Sequence, residues 1–252
     1  MNLPPTSLIL SDPGWNMQSS GTNGSKFLGR RDGPHPARLH GPGSIPRPTT
    51  TLLSLSKFPK YLHHPHSHLP EIFEAYMKLR KDAQNIYPYL DQFTESAGLS
   101  SRVLGQRSRH RAAYTVVIAL ALLLNTILRV LDSENPMLAQ ESIFFCEQII
   151  NEAELASRYR PLGAAYVVPC LVVALGTAED PRQLARIEDT LIDYQTDFRG
   201  FEWRELATWL RAVVHSHRAQ EPLIASNVNI SAFGVQGSCM TQLQAIFGLC
   251  LY

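Results

Sequence analysis

The stretch from Ala112 to Leu128 constrains the fold more than any other, because 17 consecutive residues carry no charge. A helix that is apolar on all sides must be buried on all sides, in a protein core or in a lipid bilayer. A bilayer span needs about 20 apolar residues, whereas this run is shorter, contains Asn125 and is closed by Arg129. We therefore predict the central helix of a helical domain, with membrane anchoring as the alternative.

The amino-terminal part of the chain differs in composition from the rest. The first 70 residues hold 11 of the 17 prolines and 7 of the 15 glycines, and seven basic residues outnumber two acidic ones. Such a segment buries too little apolar surface to offset the entropy lost on ordering. We predict a disordered, Pro/Gly-rich basic tail over residues 1–69 and a helical domain over residues 70–252. The cations are too dispersed for a nucleic-acid groove, so we interpret the tail as a solvated linker.

Apolar residues recur at spacings of three and four after the tail, which predicts an all-α fold. The expected architecture is an irregular array of about six to eight helices. Asn135 before Pro136 and Asp180 before Pro181 mark two helix starts, because each joins a capping side chain to a proline that needs no amide partner. Around two central apolar helices, at 112–128 and 161–176, we predict amphipathic helices at 71–87, 136–157, 181–198 and 202–217.

Three finer predictions concern individual side chains. The spacing of the first amphipathic helix directs Arg80 toward water. In the second, the apolar stripe that is assigned to the core includes Ile143. Pro169 removes a backbone hydrogen bond and is expected to kink the helix at 161–176.

Histidines and carboxylates are the first candidates for chemistry. A tract of four histidines crowds the join between tail and domain, but Pro65 and Pro70 favour an extended tract without carboxylate or cysteine partners, so no metal site is predicted. Two further histidines near the end of the last amphipathic helix are expected to contact terminal carbonyls. Asp189 and Asp193, one turn apart, are interpreted as a solvated face with arginines one turn upstream. The residues in question are His63, His64, His66, His68, His215, His217, Arg182 and Arg186.

Catalytic and cofactor motifs are not found in the sequence. It contains no nucleophile elbow, phosphate-binding glycine loop, His-Glu-x-x-His pair or dinucleotide fingerprint. The four cysteines, at 146, 170, 239 and 250, lie on apolar stretches whose separations favour reduced core thiols. The prediction is a protein that is not an enzyme and holds no cofactor or metal.

Two tryptophans lie on the helix predicted over 202–217. Trp203 belongs to its apolar stripe and is assigned to the core, whereas Trp209 lies at the border of that stripe. Trp209 is therefore the candidate for partner contact, because tryptophan is enriched at the energetic centres of protein interfaces.

A block of motifs in the second half of the chain gives the strongest indication of family. It follows the apolar helix and the turn at 132–136, and the whole pattern over residues 112–214 resembles the carboxy-terminal helical regulatory region of fungal-specific transcription factors of the zinc-cluster type. The motifs are Tyr-Arg-Pro-Leu-Gly at 159–163, Glu-Asp-Pro at 179–181, Asp-Tyr-Gln-Thr-Asp-Phe at 193–198 and Trp-Arg-Glu-Leu-Ala at 203–207.

The chain lacks the DNA-binding module that usually accompanies this region. That module is a six-cysteine zinc cluster, whereas this chain has four cysteines, none before Cys146 and none in a Cys-x-x-Cys pair. The resemblance implies a nuclear regulator of transcription that acts through protein partners, reaches DNA only indirectly and controls a fungal specialised-metabolite gene cluster. The alternative is a helical enzyme or small-ligand binder with a pocket between helices 112–128 and 161–176, anchored by Asn125, Tyr166 or Tyr114.

Overall fold

A computed structural model describes residues 56–91, 101–197 and 202–220, all of them in the compact unit from Pro48 to Tyr252. Within these ranges the chain is helical and has no strand, which confirms the all-α prediction. Three 3₁₀ turns, Pro65–His68, Ser157–Tyr159 and Leu162–Ala164, join some of the helices. The helices are α1 (Phe58–His63), α2 (Leu69–Ile86), α3 (Pro88–Asp91), α4 (Ser101–Leu131), α5 (Pro136–Ala156), α6 (Val167–Thr177), α7 (Pro181–Gln195) and α8 (Trp203–Gln220).

Part of the segment predicted to be tail is folded. Residues 58–68 form α1 and a 3₁₀ turn, so Pro65 begins a turn and does not keep the histidines extended. Phe58, Tyr61 and Leu62 are buried, which gives this short helix an apolar anchor that a purely compositional argument overlooks. The rest of the predicted tail and everything after Gln220 lie outside the described residues.

The central helix α4 contains the uncharged run and contacts α2, α5, α6 and α8. The segment Ser108–Leu131 is long and apolar enough to cross a membrane by length and composition, but 89% of its most apolar window is buried within the protein. Its side chains from Val116 to Leu124 are at most 3% exposed. The neighbouring helices thus supply the apolar surroundings that the sequence demands.

Both predicted helix caps are present. The Asn135 side chain accepts hydrogen bonds from the backbone amides of Met137 and Leu138, at 3.1 and 3.4 Å. The Asp180 side chain accepts one from the amide of Arg182 at 2.9 Å. These side chains satisfy amides of the first turn that have no partner within the helix.

The finer predictions for Pro169 and Ile143 are wrong. Helix α6 begins at Val167, so Pro169 lies in its first turn, where a missing amide costs no intrahelical hydrogen bond, and no kink is required. Ile143 is 51% exposed, because the buried face of α5 is rotated to carry Phe145, Cys146 and Ile149. Apolar residues that recur at spacings of three and four positions can be assigned to either of two adjacent faces of a helix. Only the packing of the helix shows which face is buried.

Helices α6 and α8 approach each other closely at Gly176. A Cβ atom at this position would lie 2.9 Å from Leu210 Cδ2 and 3.1 Å from the Ala207 carbonyl oxygen. Glycine is therefore required by space and not by backbone conformation. The contact places α8, which carries both tryptophans, against the last turn of α6.

Candidate functional site

Arg160 fastens the segment between α5 and α6 to the end of α7. Its Nη1 donates to Asp193 Oδ2 and its Nε to Asp197 Oδ2, both at 2.5 Å. Nη2 donates to the Asp193 carbonyl at 2.7 Å and to Thr196 Oγ1 at 3.1 Å, and the guanidinium lies 4.7 Å from the centre of the Tyr194 ring. Planar guanidinium groups are suited to such combined hydrogen bonding and stacking. We call residues 159–163 the pinned turn.

The partners of Arg160 are themselves held in place. Tyr194 is buried, and its hydroxyl donates to the Ala153 carbonyl at 2.7 Å, which joins α7 to α5. Hydrogen bonds from Arg160 to Asp197 and Asp193 raise the pKa of the guanidinium above its ordinary value. The pinned turn is thus connected through one arginine to a buried tyrosine of the core.

The pinned turn presents apolar side chains to solvent. Leu162 is 87% exposed, the largest fraction of any large apolar side chain in the described residues, and Tyr159 is 44% exposed. Gly163 allows the turn to close, because a Cβ atom there would lie 2.9 Å from Tyr159 Cβ. Apolar side chains on a turn that is already held in place are available to a protein partner, and less backbone entropy is lost when they bind.

This geometry explains two of the sequence motifs that suggested a family. The Tyr-Arg-Pro-Leu-Gly and Asp-Tyr-Gln-Thr-Asp-Phe motifs, 34 residues apart, meet through Arg160. Asp193 is exposed, as predicted, and its ion-pair partner is Arg160, whereas Arg186 pairs with Glu147 at 2.8 Å and with Glu154 at 3.3 Å. Asp189 is exposed, as predicted.

Comparisons with known proteins give no relative. Neither the models of known protein families, nor the curated proteins, nor the solved structures include a match to this chain.

The two tryptophans of α8 occupy different environments. Trp203 is 5% exposed, in agreement with its assignment to the core. Trp209 is half-buried, and its indole N–H is buried without a hydrogen-bond acceptor among the described residues. Part of the Trp209 ring therefore remains at the surface, on a helix that α6 fixes in place.

The core contains a polar network that is not apparent from the sequence. Arg80, predicted to face water, is 8% exposed and its Nη2 lies 2.7 Å from Glu141 Oε1. The Tyr76 hydroxyl donates to the other oxygen of Glu141, and Asn125 Nδ2 donates to the Tyr76 hydroxyl at 3.0 Å. Burial raises the pKa of the Glu141 carboxyl, and the Tyr76 hydroxyl and Arg80 oppose that effect. The network joins α2, α4 and α5.

A second buried ion pair joins α4 to α5 further along the core. Arg111 Nη1 donates to both carboxylate oxygens of Glu152 at 2.9 Å, and both residues are buried. Close by, Tyr114 is fully buried and its hydroxyl lies 3.4 Å from Gln148 Oε1. Burial raises the pKa of the Tyr114 hydroxyl above its ordinary range. These groups have partners within the protein.

The three anchors proposed for an internal ligand pocket do not converge. Asn125 belongs to the network of Tyr76, whereas Tyr114 lies 11 residues earlier on α4, roughly 16 Å away along the helix axis. Tyr166 lies near the Arg111–Glu152 pair, whose charges act on its hydroxyl. A ligand held between α4 and α6 would therefore contact at most part of this set.

A small surface cleft lies elsewhere in the described part of the chain. It has a volume of about 150 Å³ and is formed by α1 and α2. Glu71 at its edge lies 3.0 Å from Lys60 and 3.2 Å from His68, and these hydrogen bonds lower the pKa of the Glu71 carboxyl to about 2. The cleft is lined by Lys57, Phe58, Tyr61, Glu71, Glu74, Ala75, Lys78 and Leu79.

The histidine tract has partners but no metal-binding geometry in the described residues. Nowhere in these ranges do three His, Cys, Asp or Glu side chains converge as metal ligands. His68 contacts Glu71, and His217 Nε2 lies 2.5 Å from the Leu62 carbonyl oxygen. His217 thus contacts a terminal carbonyl as predicted, although the carbonyl belongs to α1 and not to its own helix. Of the four cysteines, Cys146 and Cys170 are buried and form no disulfide, and the other two lie outside the described residues.

Sequence reasoning identified the block that contains the pinned turn but not the roles of its residues. The signal for Arg160 is an arginine before proline at the end of an amphipathic helix, with paired aspartates on a later helix. That pattern becomes specific only when the two helices are known to be neighbours. Leu162 has no sequence signal, because a leucine in an apolar segment is ordinarily assigned to the core.

Proposed function

We propose that this chain is a non-enzymatic regulator of transcription that acts by contact with a protein partner, and that the pinned turn is its contact surface. In this proposal the protein works in the nucleus, reaches DNA only through its partner and controls a gene cluster of specialised metabolism. The observation that carries the contact surface is Leu162, 87% exposed on a turn that Arg160 fixes to the core. The transcriptional part extends the resemblance to fungal regulatory regions.

The distribution of polar groups supports a role in contact more than one in catalysis. Glu141, Arg80 and Tyr76 are committed to one another inside the core, and Arg111 and Glu152 form a closed pair. Groups that are buried and paired with one another are poorly placed to reach a substrate. The apolar side chains that remain at the surface are free to bind a protein partner.

A tethered-reporter experiment tests the transcriptional proposal. The full chain is fused to an unrelated DNA-binding module in a filamentous fungus, and a reporter gene behind the matching operator is measured. We expect the fusion to change reporter output at least about threefold relative to the module alone, and Leu162→Asp to abolish the change, because a buried unpaired carboxylate is strongly unfavourable at an apolar contact.

The matched control is Ile192→Asp, which places the same charge at another exposed apolar position, 45% exposed on α7. Expression and thermal unfolding are compared for all fusions. A fusion that leaves the reporter unchanged refutes the transcriptional proposal, whereas equal loss from both aspartate variants refutes the role of Leu162.

Trp209 provides a second test of partner contact. Affinity capture from nuclear extract, followed by mass spectrometry, compares the wild type with Trp209→Ala and Leu162→Asp. A co-purifying protein lost in both variants assigns the two residues to one partner surface. If Trp209→Ala changes neither folding nor capture, Trp209 is not a contact residue.

A further inference from the structure

Helix α8 reaches back to the beginning of the described chain through one hydrogen bond. His217 Nε2 lies 2.5 Å from the carbonyl oxygen of Leu62, 155 residues earlier. Since a carbonyl oxygen can only accept, His217 Nε2 carries the proton and donates. Leu62 is 1% exposed, whereas His217 is half-buried. The bond joins the last part of α8 to the final turn of α1.

Three more histidines lie around this contact. His63 ends α1, His64 follows it, and His66 lies in the 3₁₀ turn. The His63 and His64 rings have centres 6.4 Å apart, and all three residues act electrostatically on His217. The contact therefore brings four imidazole side chains together around the end of α1.

Three other charged side chains of these elements have partners elsewhere in the described residues. Lys60 lies 3.0 Å and His68 3.2 Å from Glu71, on the side of α2. On α8, Arg211 donates to the Leu175 carbonyl. Among the described residues, the charged groups that act on His217 are His63, His64 and His66.

Burial opposes protonation of His217. It lowers the pKa of the imidazole below 6.5, the hydrogen bond to Leu62 acts in the opposite direction, and the neighbouring histidines lower the pKa further. When α1 is released, His217 regains its ordinary pKa and binds a proton more readily. Protons therefore favour the released state as the pH falls below about 6.5.

We propose that His217, with His63, His64 and His66, forms an acid-sensitive latch that holds α1 on α8 near neutral pH and releases it on acidification. Release breaks the hydrogen bond between His217 and the Leu62 carbonyl and separates the final turn of α1 from α8. The latch is a property of this fold and does not depend on the transcriptional role of the chain. Each unit by which docking lowers the His217 pKa corresponds to about a tenfold increase in the opening equilibrium at low pH.

Hydrogen exchange of the full chain measures this opening directly. Exchange of peptides covering residues 58–64 is followed at pH 7.5, 6.5 and 5.5, corrected for intrinsic exchange and compared with peptides from α5. We expect the opening constant of α1 to increase severalfold toward pH 5.5, while α5 retains its protection. His217→Gln keeps a side-chain donor for the Leu62 carbonyl but cannot titrate, so it should largely remove the pH dependence and retain protection at pH 7.5.

His215→Gln is the matched control, because His215 is exposed on the same helix two residues away. It should behave like the wild type. The triple variant His63→Gln, His64→Gln, His66→Gln retains His217 and should show a reduced pH dependence, which keeps the test valid if His217→Gln fails to fold. The latch is overturned if protection of residues 58–64 does not change with pH in the wild type, or if it changes as much in His217→Gln as in the wild type.

Discussion

Arg80 and Glu141 form an ion pair of 2.7 Å in which their side chains are only 10% and 2% exposed. They lie 61 residues apart, on α2 and α5, and the hydroxyl of Tyr76 donates to the same carboxylate. A buried charge whose partner is removed cannot recover its hydration. The pair therefore specifies how these two helices pack, whatever its net contribution to stability.

We predict strong coupling between these two residues. Arg80→Met should lower the free energy of unfolding by about 3 kcal/mol, because it leaves the Glu141 carboxylate buried without its cation. Glu141→Gln in the same chain should recover part of the loss, since a neutral amide can still accept from Tyr76. Urea denaturation of the wild type, both single variants and the double variant measures the coupling, and additive losses would contradict it.

The pinned turn should depend on the shape of Arg160 and not only on its charge. Arg160→Lys retains the cation but loses the four directed hydrogen bonds and the stacking on Tyr194. We expect a loss of about 1 kcal/mol, a modest value because Asp193 is largely exposed, and faster hydrogen exchange at residues 158–165.

The control for Arg160→Lys is Arg158→Lys. Arg158 lies two residues earlier, and its side chain is exposed. It should leave exchange of the turn unchanged. Leu162→Ala should change the free energy of unfolding by less than about 0.5 kcal/mol, as expected for a side chain that packs against almost nothing. A large loss of stability in Leu162→Ala would mean that this leucine has a structural role.

Two glycines should respond to alanine in opposite directions. Gly176→Ala places a methyl group 2.9 Å from Leu210 Cδ2 and 3.1 Å from a backbone oxygen, so it should destabilise the protein by about 1 to 3 kcal/mol. Gly105→Ala, on α4, meets nothing within 4 Å and should be neutral or stabilise by up to about 1 kcal/mol, owing to helix propensity. Thermal unfolding of both variants measures these changes in stability, and equal losses in the two variants would contradict the prediction.

Glu71 should contribute to acid sensitivity in a defined pH window. Hydrogen bonds from Lys60 and His68 lower its pKa from 4.5 to about 2 in the folded protein, so the unfolded chain binds more protons between these values. Stability from Glu71 is therefore fully present above about pH 4.5 and is lost as the pH falls toward 2. Urea midpoints of Glu71→Gln and the wild type should converge across this window.

Glu74→Gln serves as the control, because Glu74 is exposed one turn away on α2. Its midpoints should stay parallel to those of the wild type between pH 5 and pH 2.5. If the urea midpoints of Glu71→Gln and the wild type differ by a constant amount over the same pH range, the ion pairs of Glu71 contribute nothing to the pH dependence of stability.

Local signals in the sequence predicted the helical framework well. Asn135 and Asp180 act within three residues of themselves, so their caps could be assigned from sequence. The burial of Arg80 could not be predicted from sequence, since it depends on Glu141 on another helix. A signal does exist for Glu141, which lies three residues after Leu138 and four before Phe145, in the middle of the buried face of α5.

The candidate site illustrates the same limit. The Tyr159 to Gly163 motif was singled out by pattern, but its exposed leucine and its arginine anchor depend on how α5, α6 and α7 pack. The phase error at Ile143 has a related cause, because intrahelical spacing does not say which of two neighbouring faces meets the core. Trp209 lies at a helix-face border, and its half-buried state follows from that position.

The burial of α4 has a consequence for how the chain is made. Three of the helices that cover it, α5, α6 and α8, follow it in the sequence, so the ribosome releases α4 well before its coverings exist. A nascent chain ending near residue 160 lacks α6 and α8, so the apolar surface of α4 that these helices cover stays exposed, a typical substrate for chaperones and a starting point for aggregation. Synthesis in the cell should therefore depend on chaperone capacity until α8 has emerged.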